Sequence, residues 1–229
     1  MNDQLSLNLN VRDDATLASF YQGQNAEALT AVRTWVQGRG DFMVYLWGGE
    51  GSGRTHLLQA ACHTALDLGL RSVYLPLDSA DLEPSILQGL EAVPLICLDN
   101  IHSIADKPVW QEAVFHFFNR LREKQGRMLV AADNSPLHLP FKLADLQSRL
   151  SWGTSYQLQA LNDDEKLQAL QLRASLRGLE LDESVARFLL RRYARGMREL
   201  FGLLDKLDKA SLAEQRRLTI PFVKTILSL

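Results

Sequence analysis

Three consecutive stretches constrain this chain more than any others. The apolar run Phe42-Met43-Val44-Tyr45-Leu46-Trp47 leads into Gly48-Gly49-Glu50-Gly51-Ser52-Gly53-Arg54-Thr55, and His56-Leu57-Leu58-Gln59-Ala60-Ala61-Cys62 follows. The first reads as a strand buried on both faces and the last as a helix. A strand, a glycine-rich turn and a helix form the setting of a phosphate-binding loop. Glycines let backbone N–H groups converge on anionic oxygens, and the helix start adds unpaired N–H groups and the positive end of its dipole. Gly48, Gly53 and Thr55 fall at the spacing of the full motif. Thr55 is placed to offer its hydroxyl to a phosphate-bound magnesium. Position 54, where the motif has lysine, is arginine. The segment Gly48, Gly49, Glu50, Gly51, Ser52, Gly53, Arg54, Thr55 is therefore the candidate nucleotide-phosphate site.

With 229 residues and 46% hydrophobic content the chain can build one medium domain plus a small appendage. A net charge of −2 argues against general nucleic-acid binding through the whole surface. The charge is uneven: residues 160–229 are net positive and residues 1–159 net negative. Cys62 and Cys97 lie in apolar surroundings without metal-ligand spacing, as expected of reduced core cysteines in a cytoplasmic protein. No signal segment, membrane-length apolar run, internal repeat or low-complexity tract is found.

Residues 1–10 alternate, with Leu5, Leu7 and Leu9 on one side and Ser6 and Asn8 on the other. Such a ladder either pairs with the chain's own sheet, associates with a second copy, or docks extended into another protein's groove. A helix is expected after Asn25, with Ala28, Leu29, Val32, Trp35 and Val36 inward, ending at Gly38 and Gly40. A second strand is expected over 71–77 and short helical turns over 81–91. In Pro94-Leu95-Ile96-Cys97-Leu98-Asp99-Asn100, four apolar residues end in an acid, the Walker B pattern. A buried strand would hold Asp99 at its carboxyl end, facing the loop, where it can hold magnesium through water. Many such ATPases carry a second acid at the next position to activate water. This chain has Asn100, and an amide cannot take a proton, so strong hydrolysis by the chain alone is not expected.

A helix over 109–124 and a fourth strand over 127–134 follow. Asp133 or Asn134 stands either as a γ-phosphate sensor or as a turn former. A fifth short strand is expected over 154–158. Alternating strands and helices predict a parallel, doubly wound α/β sheet. Beyond Leu161 the pattern is helical throughout: Asn162 with Glu165 reads as a capping box, Asp182 as a second helix start, and Pro221 as the first turn of a last helix. Arg187, Arg191 and Arg195 recur at helical spacing, as either a solvated face or a contact for DNA or an acidic partner.

A nucleotide-binding α/β domain followed by a small helical lid resembles the AAA+ proteins. Phe20-Tyr21-x-Gly23-x-Asn25, the run 45–58, Ser148-Arg149-Leu150-x-Trp152-Gly153 and Met197-Arg198-Glu199-Leu200 resemble the bacterial replication initiator family DnaA. The run 218–227 and the N-terminal Gln4-Leu5-Ser6-Leu7-x-Leu9 are similar to Hda, the family of DnaA-related regulators that inactivate the initiator. The resemblance implies an AAA+ fold with a five-stranded parallel sheet, flanking helices and a C-terminal helical lid. Its parts would be a clamp-binding peptide over 1–12, a nucleotide-binding domain over 13–159 and a lid over 160–229. The initiator carries further domains on either side, and their absence from this sequence fits the regulator.

The resemblance also implies roles. Gly48, Gly49, Glu50, Gly51, Ser52, Gly53, Arg54 and Thr55 would hold the phosphates of ADP, or of ATP or another nucleotide, with Thr55 and Asp99 at Mg. Phe20 and Tyr21 would lie against the base, and Arg198 would reach the phosphates from the lid. Arg149 would be an arginine finger directed into the nucleotide site of a neighbouring subunit. Gln4, Leu5, Leu7 and Leu9 would bind the DNA polymerase III sliding clamp (beta), leaving DNA contacted mainly indirectly. The partner would be DnaA, whose ATP hydrolysis the ADP-bound chain stimulates when the clamp is loaded on DNA. Three other readings stay open: an autonomous AAA+ ATPase of the helicase-loader kind, a non-catalytic clamp adaptor, and self-association into a homo-oligomer through Leu5–Leu9.

Overall fold

The computed structural model describes residues 14–193 and 196–228. Residues cluster into two compact units, one of 24–159 with the segment preceding Ala18, the other of 18–23 with 160–229. The clamp-like Gln4, Leu5, Leu7 and Leu9, and Arg195 of the arginine stripe, lie outside the described residues.

In the first unit, helix α1 (Ala26–Val36) precedes strand β1 (Met43–Trp47), helix α2 (Arg54–Asp67) and strand β2 (Ser72–Pro76). Strand β3 (Leu95–Asp99), helix α3 (Pro108–Glu123), strand β4 (Arg127–Ala132), helix α4 (Ala144–Leu150) and strand β5 (Thr154–Gln157) follow. The strands form one parallel sheet in the order β2-β3-β4-β1-β5. Both faces are covered, which is why β1, β3 and β4 read as continuous apolar runs. On one face Met43, Tyr45, Ile96, Leu98, Met128 and Val130 share a core with Phe117 and Phe118 of α3. Alternation sends Cys97 to the opposite face, where its sulfur lies 3.6 Å from that of Cys62 on α2. Both cysteines are free and buried.

The expected helical stretch over 81–91 is two short 3-10 turns, Pro84–Leu87 and Leu90–Ala92. The strand expected to reach Asn134 ends at Ala132, because the chain turns at 133–134 beyond the sheet. Helix α4 was not expected from the sequence.

The second unit contains α5 (Asp163–Ser175), α6 (Glu183–Arg192), α7 (Met197–Glu214) and α8 (Ile220–Ile226). Asn162 and Glu165 form the expected reciprocal capping box, each side chain accepting from the other's backbone N–H at 2.9 Å. Asp182 caps α6 and Thr219 caps α8. Leu170, Leu189, Leu204, Leu207, Phe222 and Val223 close this unit's own core. No helix among the described residues is long and apolar enough to cross a membrane.

Candidate nucleotide site and the stacked arginine

The loop between β1 and α2 follows from local constraints. Gly51 and Gly53 have φ of 76° and 96°, a region that side-chain-bearing residues rarely enter. Gly48 is required for space: a Cβ there would stand 2.4 Å from the Leu158 carbonyl oxygen and 3.0 Å from Ser52 Oγ. Helix α2 starts at Gly53 with no side-chain cap and no acid in its first turn. Its first N–H groups and its positive end are thus left for an external anion. Two polar atoms at the loop, Ser52 Oγ and Arg54 Nη1, are buried without a hydrogen-bond partner. Buried orphans are costly unless a ligand completes them, so this loop fits a phosphate chain. Gly49 and Glu50 are exposed at the tip, and an acidic side chain there contributes only backbone N–H to an anion.

Asp99 ends β3 and is fully buried. The Thr55 hydroxyl donates to its Oδ2 at 2.7 Å, the Tyr74 hydroxyl to the same oxygen at 2.8 Å, and the Asn100 N–H to Oδ1 at 2.9 Å. Burial pushes the Asp99 carboxyl above the usual carboxylate range, against these three hydrogen bonds and the Arg54 charge. The Tyr74 phenol is pushed strongly upward by its own burial and then by the Asp99 charge. The adjacent hydroxyl and carboxylate of Thr55 and Asp99 are oxygen donors of the kind magnesium takes alongside phosphate and water. Among the described residues no group of three or more His, Cys, Asp and Glu side chains stands ready to hold a metal.

Asn100 adopts left-handed backbone angles, φ 55° and ψ 43°, at the start of a 3-10 turn (Ile101–Ile104). Asparagine tolerates this region better than most residues. Beside it, the Asp133 N–H donates to His102 Nδ1 at 3.3 Å, and the Tyr45 hydroxyl donates to the Asn134 carbonyl at 3.0 Å. Burial raises the Tyr45 phenol well above its ordinary range, with Asp133 adding to the shift and Arg54 opposing it. The tips of β3 and β4 are thereby cross-linked. Tyr74, His102 and Tyr45 were missed as participants. Their parts depend on strand pairing, for which the local sequence carries no signal.

Arg149 lies elsewhere. Its guanidinium carbon is 4.0 Å from the Trp152 ring centre and 5.9 Å from that of Phe115. Trp152 is followed by Gly153, where a Cβ would stand 2.2 Å from the Met43 carbonyl oxygen. Met43 opens β1, and the phosphate loop follows Trp47, which ends it. Trp152, on which Arg149 is stacked, is therefore anchored at the opposite end of β1 from this chain's own loop, roughly 13 Å away along the strand. Buried Gln111 fixes the approach to α4: its amide donates to the Ile104 and Ala105 carbonyls, and its oxygen accepts from Lys142 and Leu143 N–H. Gln147, on α4 itself, donates to the carbonyls of Pro136, Leu137 and Leu139.

The remaining residues belong to the second unit. Phe20 is buried, and the Tyr21 hydroxyl donates to Gln168 of α5, so by contacts 18–23 clusters with the helical unit. Arg198 is exposed in the first turn of α7. Arg187 pairs with Glu183 at 2.7 Å and approaches Asp164 at 3.6 Å. The arginine stripe thus begins with a residue already neutralised on the surface, which favours its reading as a solvated face.

The family model of the bacterial DnaA ATPase domain matches residues 11–157, and that of the Hda lid domain matches residues 163–227. Among solved structures, domain III of the replication initiation protein DnaA of Thermotoga maritima aligns with a TM-score of 0.76 at 22% identity, over 95% of this chain and 97% of that one. DnaA from Aquifex aeolicus bound to AMPPCP aligns with a TM-score of 0.72 at 26% identity, over 88% of this chain and 67% of that one. A RuvB mutant of Thermotoga maritima aligns with a TM-score of 0.65 at 16% identity, over 93% and 71%, a likeness of fold alone. The expected AAA+ layout of parallel sheet and helical lid stands on these matches and on the sheet order described above.

Proposed function

The chain belongs to the bacterial DnaA ATPase-domain family and carries a lid of the Hda type, and from that premise we propose that it is a nucleotide-bound regulator that stimulates ATP hydrolysis by the initiator DnaA. The observation that carries the reading is the position of Arg149, stacked on Trp152, which is anchored at the end of β1 away from the chain's own phosphate loop. An arginine so placed serves a neighbour's nucleotide better than its own.

In the chain's own site, the loop N–H groups, Ser52 and Arg54 would hold the phosphates of ADP, and Thr55 and Asp99 would hold the magnesium, which would offset phosphate charge. Asp99, held by Thr55 and Tyr74, keeps a fixed orientation. Asn100 accepts no proton from water, so the site binds nucleotide without turning it over efficiently. That an AMPPCP-bound DnaA shares the fold supports an adenine nucleotide as the ligand.

Arg149 then acts on the ATP bound to DnaA. Its planar guanidinium neutralises charge developing on the γ-phosphoryl oxygens as water attacks. Such a finger contributes about 10³–10⁵ in rate, on the order of 4–7 kcal/mol of barrier. Gln4, Leu5, Leu7 and Leu9 bind the DNA-loaded sliding clamp. The clamp thereby concentrates the regulator where DnaA must be switched off, and DNA is touched mainly through it.

The test is hydrolysis of DnaA-bound ATP with the full chain or a chain lacking residues 1–12, each with and without clamp loaded on DNA. The full chain is expected to stimulate only with loaded clamp, and the truncated chain in neither case. Stimulation that is indifferent to the clamp and to residues 1–12 overturns the clamp-dependent part. No stimulation under any condition overturns the regulator reading.

A further inference from the structure

We infer that Trp152 is a positioning residue for Arg149: an exposed aromatic shelf that holds the guanidinium extended at the surface before any partner arrives. The inference rests on the proposed action of Arg149 on a partner's nucleotide and goes beyond it by naming what keeps that side chain ready.

Trp152 is 53% exposed, although a large indole is ordinarily well covered. One edge is held: Phe118, fully buried, meets it edge-on at 6.1 Å between ring centres. Gly153 lets the backbone close against β1, since any side chain there would collide with the Met43 carbonyl. The Trp152 N–H also bonds the Arg149 carbonyl at 3.1 Å, closing the turn after α4. The indole is therefore a fixed surface carried on the same turn as the arginine. Arg149 lies over it at 4.0 Å, with Arg122 of α3 at 4.9 Å from the same ring centre.

The partners of Arg149 among the described residues are rings and not carboxylates. This distinction has chemical consequences. A carboxylate would neutralise the guanidinium and have to be displaced before Arg149 could meet a phosphate. An aromatic face attracts the cation through its quadrupole while leaving its N–H edges open and its charge intact. A free surface arginine samples many rotamers, and stacking removes much of that freedom in advance. Arg122 on the same ring adds a second positive charge. Both then favour an approaching polyanion such as a triphosphate, and among the described residues neither is paired with an acid.

A positioning role predicts a split in kinetics. Replacing the shelf leaves Arg149 chemically intact but seldom in place, so the maximal stimulated rate falls while the concentration of chain giving half-maximal stimulation stays near the wild-type value. Trp152→Leu is expected to lower the maximal stimulated hydrolysis by DnaA about 3–30-fold, the range expected from loss of a cation–π contact. Trp152→Phe keeps a ring and is expected to recover most of the rate. An independent readout is the ring-current shift of the Arg149 Nε–H and δ-methylene resonances in the isolated, labelled chain. They are expected upfield in the wild type and at ordinary positions in Trp152→Leu. Two results overturn the inference while leaving the regulator reading intact: unshifted Arg149 resonances in the wild type, or Trp152→Leu stimulating at the full rate while Arg149→Ala does not stimulate. A rise in half-maximal concentration alone assigns Trp152 to partner contact and also overturns it. If Arg149→Ala stimulates normally, the regulator mechanism itself fails.

Discussion

The Thr55 hydroxyl donates to Asp99 Oδ2 at 2.7 Å, joining the first turn of α2 to the last residue of β3. The bond ties the two halves of the candidate nucleotide site together before any ligand arrives. Thr55→Val keeps the shape of the side chain and removes the donor. It is expected to weaken ADP binding in the presence of magnesium by about 5–30-fold, or ~1–2 kcal/mol. The wild-type advantage should shrink when magnesium is chelated. Titration calorimetry with and without chelator checks this, and an equal loss in both conditions removes Thr55 from the metal's surroundings.

Asp99 gives the ligand-free protein a distinctive pH dependence. Its native carboxyl is raised above the usual range by burial, so between about pH 4 and that raised value the folded chain holds more protons than the unfolded one. Stability contributed by this group is present below the unfolded value and is lost as pH rises through the window. Urea unfolding at a series of pH values, without nucleotide or metal, is expected to show this falling contribution, and Asp99→Asn is expected to flatten it. A slope unchanged by Asp99→Asn contradicts the assignment.

Gly48 and Gly49 separate crowding from flexibility. At Gly48 a methyl group meets the Leu158 carbonyl at 2.4 Å, whereas at Gly49 nothing lies within 4 Å. Gly48→Ala is expected to cost ~1–3 kcal/mol in denaturant unfolding, and Gly49→Ala less than about 0.5 kcal/mol. Equal losses would show that the backbone at the loop mouth gives way more easily than this packing implies.

In the helical unit, the Asn162–Glu165 capping box satisfies N–H groups at the start of α5. Asn162→Ala is expected to cost ~0.5–2 kcal/mol, and Asn162→Asp to retain most of the capping. Thermal melts of both variants against the wild type decide it.

How far the fold could be read in advance depended on how local its causes are. The apolar runs at 43–47, 95–99 and 127–132 are legible as strands because both faces of each are buried. The capping box is legible because both partners lie within one turn. Helix α4 is not: its seven residues bury only Leu146 and Leu150 and have no side-chain cap. Its position depends on Gln111, more than thirty residues earlier in the chain, which binds the N–H groups just before it. Thr55 and Asp99 could be picked by motif, but Tyr74 could not. It reaches Asp99 only because β2 pairs with β3 in a register that sets Pro76 opposite Asp99. Asn100 read as a missing acid, and its left-handed backbone supplies a structural reason for asparagine that sequence spacing does not contain. By contacts, residues 18–23 cluster with the helices, Tyr21 bonding Gln168, a long-range pairing that the local sequence does not carry.

The central claim is that Arg149 acts on ATP held by DnaA and not on nucleotide in its own loop. The direct measurement is single-turnover hydrolysis of labelled ATP preloaded on DnaA, with DNA-loaded clamp, ADP and either the wild-type chain or Arg149→Ala. Clamp binding and ADP affinity of both chains would be measured in parallel. The account predicts that the wild type accelerates hydrolysis and that Arg149→Ala falls to the unstimulated rate, about 10³-fold or more below a fully engaged finger, with clamp and ADP binding unchanged. Full stimulation by Arg149→Ala, or turnover of ATP at the stimulated rate by the chain without DnaA, would contradict it.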